Sequence, residues 1–429
     1  MLAALLACTG STGLTDAPDT APTETELTIS VSRSEVVSSV VSVSVAEAER
    51  FTVSYAAAGS SGLVATEDGA ATLLGLKAST TYALTVTVDG VEHDAGTVTT
   101  GAPPAHLPEM TLTQGAELSG FLVTSILSTP SAAVILDADG DYVWWMEASD
   151  EGLITRSRLS LDGRSLLFLD PVGHHEQETD YVLRRVSLDG TVNETLPAEG
   201  IHHDFIEVED GVIAQIQHDA RTVDGETVKG DRLVEVHEDG AEVEIWSVWD
   251  HLTYHPDQAQ SYYDWTHANA LDYDADTGTY TISICAFSTI FHIDRQSGET
   301  LWRLGGDESD FRSAASDFEP FVHQHQHQLT EDGILVFDNQ ALESQESRVV
   351  EYALDEETGT LSLIWKYVPE PSFYTHGLGD VYRLPSGNTR IVWSAQGQID
   401  EVTPEGELRW QLSASLGGGI GYADWIDAL

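Results

Sequence analysis

From Glu26 to Thr100 apolar residues alternate with Ser and Thr in short runs: "LTISVS", "VVSSVVSVSV", "RFTVSYAA", "ATLLGL", "TTYALTVTVDG" and "AGTVTT". A period of two with many β-branched residues predicts half-buried strands, and their number fits a small β-sandwich over residues 25–101. "GAPPAHLPE" at 101–109 then reads as a linker. Beyond it a longer unit recurs: strand, Gly or Asp turn, strand, acidic turn with Gly, and a strand ending in Trp. "LVEVHEDGAEVEIWSV", "IFHIDRQSGETLWRLG", "VVEYALDEETGTLSLIWKYV" and "IDEVTPEGELRWQL" are the clearest copies, with Trp246, Trp302, Trp365 and Trp410 spaced by 56, 63 and 45 residues. "LDADGDYVWWMEA", with Trp144 and Trp145, adds a copy, and "LSLDGRSLLFLD" with "VLRRVSLDGTVNETL" adds one without Trp. Spacing of this size suits four-stranded blades with loop insertions, and the count predicts a six-bladed β-propeller over 110–429. The expected chain is all-β, and each tryptophan is expected to pack between blades.

Composition narrows the partners. Asp and Glu total 71 against 19 Lys plus Arg, a formal net charge of −52, and lysine occurs only at Lys77, Lys229 and Lys366. Such a surface repels phosphate backbones and anionic headgroups, which excludes nucleic acid as a partner. No segment has the roughly 18 continuous apolar residues of a membrane-spanning helix. "MLAALLAC" is a short apolar run ending in Cys8, and Leu5-Leu6-Ala7-Cys8 resembles the lipobox of bacterial lipoproteins, although no basic stretch precedes it. On that reading residues 1–8 are a signal remnant and Cys8 carries the lipid. Residues 9–24 are a Thr-, Pro- and Gly-rich tether. The protein is then exported and lipid-anchored at the bacterial membrane or cell surface, periplasmic if the anchor faces inward, and a homodimer is compatible with this reading. Cys285 is left as a lone thiol, so no intramolecular disulfide is expected.

Candidate chemistry concentrates in histidines that recur at one place in successive blades. His202 and His203 open "IHHDFIEVEDGVIAQI", His267 opens "THANALDYDADTGTYTIS", and His376 opens "THGLGDVYRLPSGNTRIVWS". "FVHQHQHQLTEDG" carries three more. Each lies ahead of a turn and a hydrophobic strand, at the start of an inner strand, so polar groups from four blades should converge on one end of the channel. On an extended strand His323, His325 and His327 would share a face, and imidazoles at i and i+2 can ligate one Zn²⁺. Nothing else in the chain has fixed metal-ligand spacing. "DADGD" at 137–141 and "DYDADTG" at 272–278 lack a full calcium-loop ligand set and read as solvated hairpin turns. His218, His237, His251 and His255 follow no pattern.

"WTHANAL", "STIFHIDRQSGETLWRLGG", "QHQHQLTEDGILVFDN", "SRVVEYALDEETG" and "LPSGNTRIVWS" together resemble the bacterial arylsulfate sulfotransferase family, in order as well as form, over most of residues 119–412. The small sandwich also fits that family, and "LLGLKASTTYALTVTV" resembles a fibronectin type III or immunoglobulin-like run, with Tyr82 at a strand corner. The resemblance implies transfer of a sulfuryl group from a phenolic sulfate ester to a phenol, with no nucleotide cofactor, through a sulfohistidine. It implies His325 as nucleophile, with His203 of "HHD" and His267 and Asn269 of "HxN" around the sulfuryl oxygens. His202, His323, His327 and His376 are further candidate substrate contacts. The family has an arginine about sixteen residues after the Asn of "HxN", where this sequence has Cys285. A thiol does not replace a guanidinium fork. Arg221, or a protonated His323 or His327, is the expected substitute cation, helped by acidic surroundings that raise histidine pKa values. Two other readings remain open: a propeller that binds aryl or sulfated ligands without turnover, and a histidine metal site in the channel.

Overall fold

The computed structural model describes residues 27–113, 120–175, 178–255, 264–313, 315, 318–331, 333–415 and 418–429. Cys8 and the tether lie outside the described residues. Among the described residues every element is a β-strand or a short 3₁₀ turn.

Two sheets form the N-terminal sandwich. One orders Ile29–Arg33, Val41–Val45 and Ala70–Leu73; the other orders Ser60–Thr66, Phe51–Ala57, Thr81–Val88 and Val91–Thr99. The alternating pattern turns Val41, Val43, Val53, Leu73, Leu84 and Val86 into one core between them. Tyr82 is fully buried there, and its hydroxyl accepts from the Lys77 amide at 2.9 Å and donates to Ser60 at 3.2 Å. The sandwich rests on the next region. Val37 and Val40 share a core with Val143, Trp144 and Phe168, and the Ser39 hydroxyl donates to the Val143 carbonyl at 2.7 Å. The acidic turn at 137–141 is not merely solvated: Lys77 Nζ sits 3.2 Å from Asp137 and 2.7 Å from Asp141.

Six antiparallel sheets follow in the manner of a propeller. Four are built from consecutive strands and begin at Ser157–Leu159, Ile201–Glu209, Ala268–Asp274 and His327–Thr330. The other two join the ends of the described propeller. The sheet containing Phe121–Leu127 takes in Gly419–Ile420 and Asp424–Ile426, and the sheet begun by Asp380–Arg383 gains Met110–Thr113 at its far edge. The strand Ile201–Glu209 lies beside Ala268–Asp274, which lies beside His327–Thr330, which lies beside Asp380–Arg383, so these first strands line a common channel.

The tryptophans sit between sheets, as their spacing predicts. Each indole must satisfy its N–H as well as bury its ring. Trp144 donates to the Leu188 carbonyl at 3.2 Å, Trp246 to Thr300 at 3.1 Å, Trp302 to Glu356 at 3.0 Å and Trp365 to the Pro404 carbonyl at 2.8 Å, each in the following sheet. The repeat is therefore a device for docking one sheet on the next.

Candidate active site

The histidine pocket is set by backbone conformation. His203, His267, His323 and Leu378 all have positive φ, at 57°, 53°, 53° and 56°. Each stands at or just before the first strand of its sheet. A non-glycine residue in this left-handed region costs about 1 kcal/mol or more, and its recurrence at four equivalent turns marks a constrained rim. The same turn at His323 breaks the expected alternation. Only His327 belongs to the strand His327–Thr330, and the three histidines of "HQHQH" do not form one wall. His325 joins His203 and His267, whereas His327 is fully buried near Arg156 and Asp204.

His325 is 7% exposed, and both of its nitrogens are engaged. Asn339 Nδ2 donates to the Thr375 and Leu378 carbonyls at 2.8 and 2.9 Å, so its Oδ1 must face the imidazole. His325 Nδ1–H therefore donates to Asn339 Oδ1 at 2.8 Å, and Nε2 is the unprotonated nitrogen. The Leu378 amide donates to Nε2 at 3.0 Å. Burial pushes this imidazole down to about 4, so it is neutral at pH 7. The site thus holds a neutral histidine in one tautomer, with its lone pair covered by a backbone N–H.

His267 behaves oppositely. Burial disfavours its charged form, but Asp264 Oδ1 lies 2.9 Å from Nδ1 and outweighs that, raising the pKa above the ordinary histidine value. The His203 ring meets the His267 ring edge-on with centroids 4.6 Å apart. Burial, then its neighbours His267, His202 and His325, holds His203 well below the ordinary value. His202 turns away from this group. Its ring stacks on His218 at 3.9 Å, its Nε2 lies 3.1 Å from Asp231, and its Nδ1 lies 2.7 Å from His203 Nδ1. Burial, then His218, lowers its pKa as well. Asn269 donates from Nδ2 to the Gln324 carbonyl at 2.9 Å, tying two sheets together, and Tyr422 donates to the Asn269 carbonyl at 3.1 Å from the C-terminal closure.

Beneath the histidines lies a charged layer that the sequence reading missed. Arg156 is 1% exposed, pairs with Asp204 at 2.7 Å, donates to Gln326 Oε1 at 2.8 Å, and stacks 3.7 Å from the Tyr422 ring centroid. It joins the residue after His203 to the residue after His325. Asp204 also accepts from the Leu271 amide at 2.9 Å, so four sheets and the closing segment meet there. Burial pushes Asp272 and Asp380 up to about 6. The signal available in the sequence was the Arg156-Ser157-Arg158 alternation at the start of one sheet, which lacks the histidine of the other copies.

Of the remaining candidates, Cys285 and His323 border the pocket, and Arg221 and His376 do not join it. Cys285 opens a 3₁₀ turn, is 1% exposed, and donates its amide to the His267 carbonyl at 3.1 Å. Arg221 pairs with Asp219 at 2.8 Å and lies over Trp249. His376 is exposed, and His323 is partly buried with its amide donating to Ser288 Oγ at 3.2 Å. The expectation that acidic surroundings raise the histidines is corrected here. Burial dominates at His202, His203, His325 and His327, whereas at His267 burial is outweighed by Asp264, helped by Asp231, and the pKa is raised. His327, pushed down to about 4, supplies no charge at pH 7.

Residues 110–413 match the model of the family described as Arylsulfotransferase (ASST). No curated protein matches the chain. Among solved structures, one similar chain is a protein of unknown function from Bacteroides caccae, 14% identical, covering 72% of this chain and 99% of its own, with a TM-score of 0.43. A second is a functionally unknown protein from Desulfotomaculum acetoxidans, 11% identical, covering 81% and 96%, with a TM-score of 0.40. A third is the β-propeller domain of Cps50 (Swd1) from Myceliophteria thermophila, 15% identical, covering 71% and 86%, with a TM-score of 0.38.

Proposed function

The chain belongs to the arylsulfotransferase family, by its match over residues 110–413, and on that premise we propose that it moves a sulfuryl group from a phenolic sulfate ester to a phenol through a covalent adduct on His325. The observation that carries the reading is the fixed tautomer of His325: Nδ1–H is held by Asn339 at 2.8 Å, leaving Nε2 with its lone pair. When substrate enters, the Leu378 amide gives up Nε2 and turns to a sulfuryl oxygen. The Nε2–S bond forms as the S–O bond to the aryl group breaks, and the electron pair leaves on the phenolate oxygen. A phenol acceptor then attacks sulfur as the Nε2–S bond breaks and its electron pair returns to Nε2; the acceptor's proton passes to solvent, which in the first half has protonated the departing phenolate, so the two halves balance. Splitting the transfer in this way replaces one hard step with two easier ones.

Negative charge spreads over the sulfuryl oxygens during each step, so donors and cations aimed there set the rate. His267 is the cation of this reading, because Asp264 favours its imidazolium, and it stands in for the guanidinium that Cys285 lacks. His203 and the second N–H of Asn269 are the neutral donors. The decisive assay uses p-nitrophenyl sulfate with phenol. Wild type should release nitrophenol only when acceptor is present, and His325→Asn should lose at least about 10³-fold in kcat/KM, the scale of losing a covalent nucleophile. Equal activity in the variant would remove His325 from the mechanism.

The reading extends to the N-terminal region. A fibronectin type III-like sandwich is supported by the three-plus-four strand order and the Tyr82 to Lys77 hydrogen bond. An exported, lipid-anchored protein is supported by the lipobox-like "LLAC", and labelled palmitate should enter wild type but not Cys8→Ala.

A further inference from the structure

Beside the histidine pocket three side chains converge with no hydrogen-bond partner for the atoms that face each other. His202 Nε2, His218 Nδ1 and Asp231 Oδ1 all lie within 4.8 Å of one another. Asp231 Oδ1 is 3.1 Å from His202 Nε2 and 3.7 Å from His218 Nδ1, and none of the three atoms is hydrogen-bonded. His202 is 4% exposed and Asp231 is 0% exposed. Asp231 Oδ1 thus contacts both imidazoles without a well-aligned hydrogen bond to either, and a buried carboxylate beside two ring nitrogens in that geometry is satisfied best by an ion that all three atoms face.

We propose that His202, His218 and Asp231 bind a divalent transition-metal ion of the zinc class. Two imidazoles and one carboxylate select such an ion over calcium or magnesium, which prefer oxygen. Tetrahedral bonds of about 2.0–2.1 Å place ligand atoms about 3.3 Å apart, and the present separations of 3.1 and 3.7 Å bracket that value. Only His218, whose side chain is 29% exposed, has to tilt out of its stack on His202 to complete the set, and its exposure leaves an entry path and an open position for water. The other two ligands are already oriented from behind. Asp231 Oδ2 accepts from Thr266 Oγ1 and from the Ala268 amide, both at 2.6 Å, and His202 Nδ1 contacts His203 Nδ1 at 2.7 Å.

This is a different place from the three-histidine stretch. Both nitrogens of His325 are committed to Asn339 and Leu378. Among the described residues the other convergent acidic set, Asp137, Asp139 and Asp141, already holds Lys77. The site is independent of the proposed transfer reaction, but it has a consequence for it. An ion on His202 Nε2 leaves the His202 proton on Nδ1, which donates to His203 Nδ1. The proton of neutral His203 is then on Nε2, making that nitrogen a donor. The metal would thus fix His203 as a hydrogen-bond donor.

The test uses untagged full-length protein, stripped with a chelator and titrated with Co²⁺ and then Zn²⁺. The expected result is one ion per chain, a cobalt spectrum of a nitrogen- and oxygen-ligated centre, and affinity lowered about 100-fold or more in His218→Ala, with His325→Asn unchanged. His218→Ala removes a partly exposed ligand, and its circular dichroism should match wild type; Asp231→Asn provides the second ligand variant. No stoichiometric ion on wild type, or undiminished affinity in folded His218→Ala, overturns the proposal. Metal binding without sulfuryl transfer would overturn the transfer reading and leave this site standing.

Discussion

His325 keeps its lone pair because Asn339 is itself fixed by two carbonyls, so the reactive state of one side chain depends on the orientation of a second. Asn339→Asp would reverse that logic, since its carboxylate stabilises the imidazolium. The acid limb of kcat/KM, set near pH 4 by the buried His325, should move up by about one pH unit or more in this variant. Burial above all, then His267 and His323, opposes protonation of this imidazole, so the wild-type limb lies well below an ordinary histidine titration. The alkaline limb belongs to His267. Its charge is kept by Asp264 and lost as pH rises through its raised pKa, so Asp264→Asn should cut activity about 10-fold or more at pH 7 and recover it on acidification. A pH-rate profile that does not move in Asp264→Asn would contradict His267 as the cation. At this scale the motifs singled out His203, His267, Asn269 and His325 as candidates, and the fold brings the three imidazoles together. Arg156 was not legible as a partner, because it acts across sheet boundaries that no spacing encodes. Asp264, three residues before His267, and Asn339, at the end of the strand pair that follows His325, are close in the chain or sheet, but no motif says which imidazole nitrogen they hold.

The element that matters most for the site is the turn Gly377-Leu378-Gly379, which aims the Leu378 amide at His325. Leu378 has φ 56° and Gly379 φ 116°, and a Cβ at Gly379 would fall 2.2 Å from the Phe337 ring. Only glycine fits there, for backbone and space alike. Gly379→Ala should lower stability by more than about 1 kcal/mol in thermal unfolding and reduce kcat/KM beyond that loss of folded protein, by displacing the amide. Period-two patterning located six of the seven sandwich strands, because burial on one face enforces it, and missed Ser60–Thr66, which has no fully buried face. It failed at "HQHQH", where polar residues impose no face and a left-handed turn at His323 redirects the chain. The tryptophan repeat was more informative than any strand pattern. An indole must bury a ring and place an N–H at once, which leaves it few positions other than the seam between sheets.

Across the whole molecule, closure and charge set the limits. The C-terminal strands complete the sheet of Phe121–Leu127, and Tyr422 and Arg156 carry that closure to the channel. Buried neutral His325 and His327, both near 4, stabilise the fold above the unfolded value of about 6.5 and lose that contribution as pH falls toward 4, about 3 kcal/mol each. Asp272 and Asp380, raised to about 6, act in the opposite direction over nearly the same window, because the folded state binds their protons first. The two pairs offset, and wild-type stability should be nearly flat between pH 6 and pH 4 on these groups alone. Asp272→Asn removes one compensating carboxyl. Denaturant unfolding of that variant should show stability falling by about 3 kcal/mol relative to wild type on acidification across that window. The central claim remains the covalent adduct, and whole-protein mass spectrometry reaches it most directly. Mixing the enzyme with p-nitrophenyl sulfate in the absence of acceptor should give a burst of one nitrophenol per chain. One added sulfuryl group should map to His325, be absent in His325→Asn, and be discharged by phenol. Acceptor-dependent turnover with no adduct on wild type, or an adduct on another residue, would contradict the account.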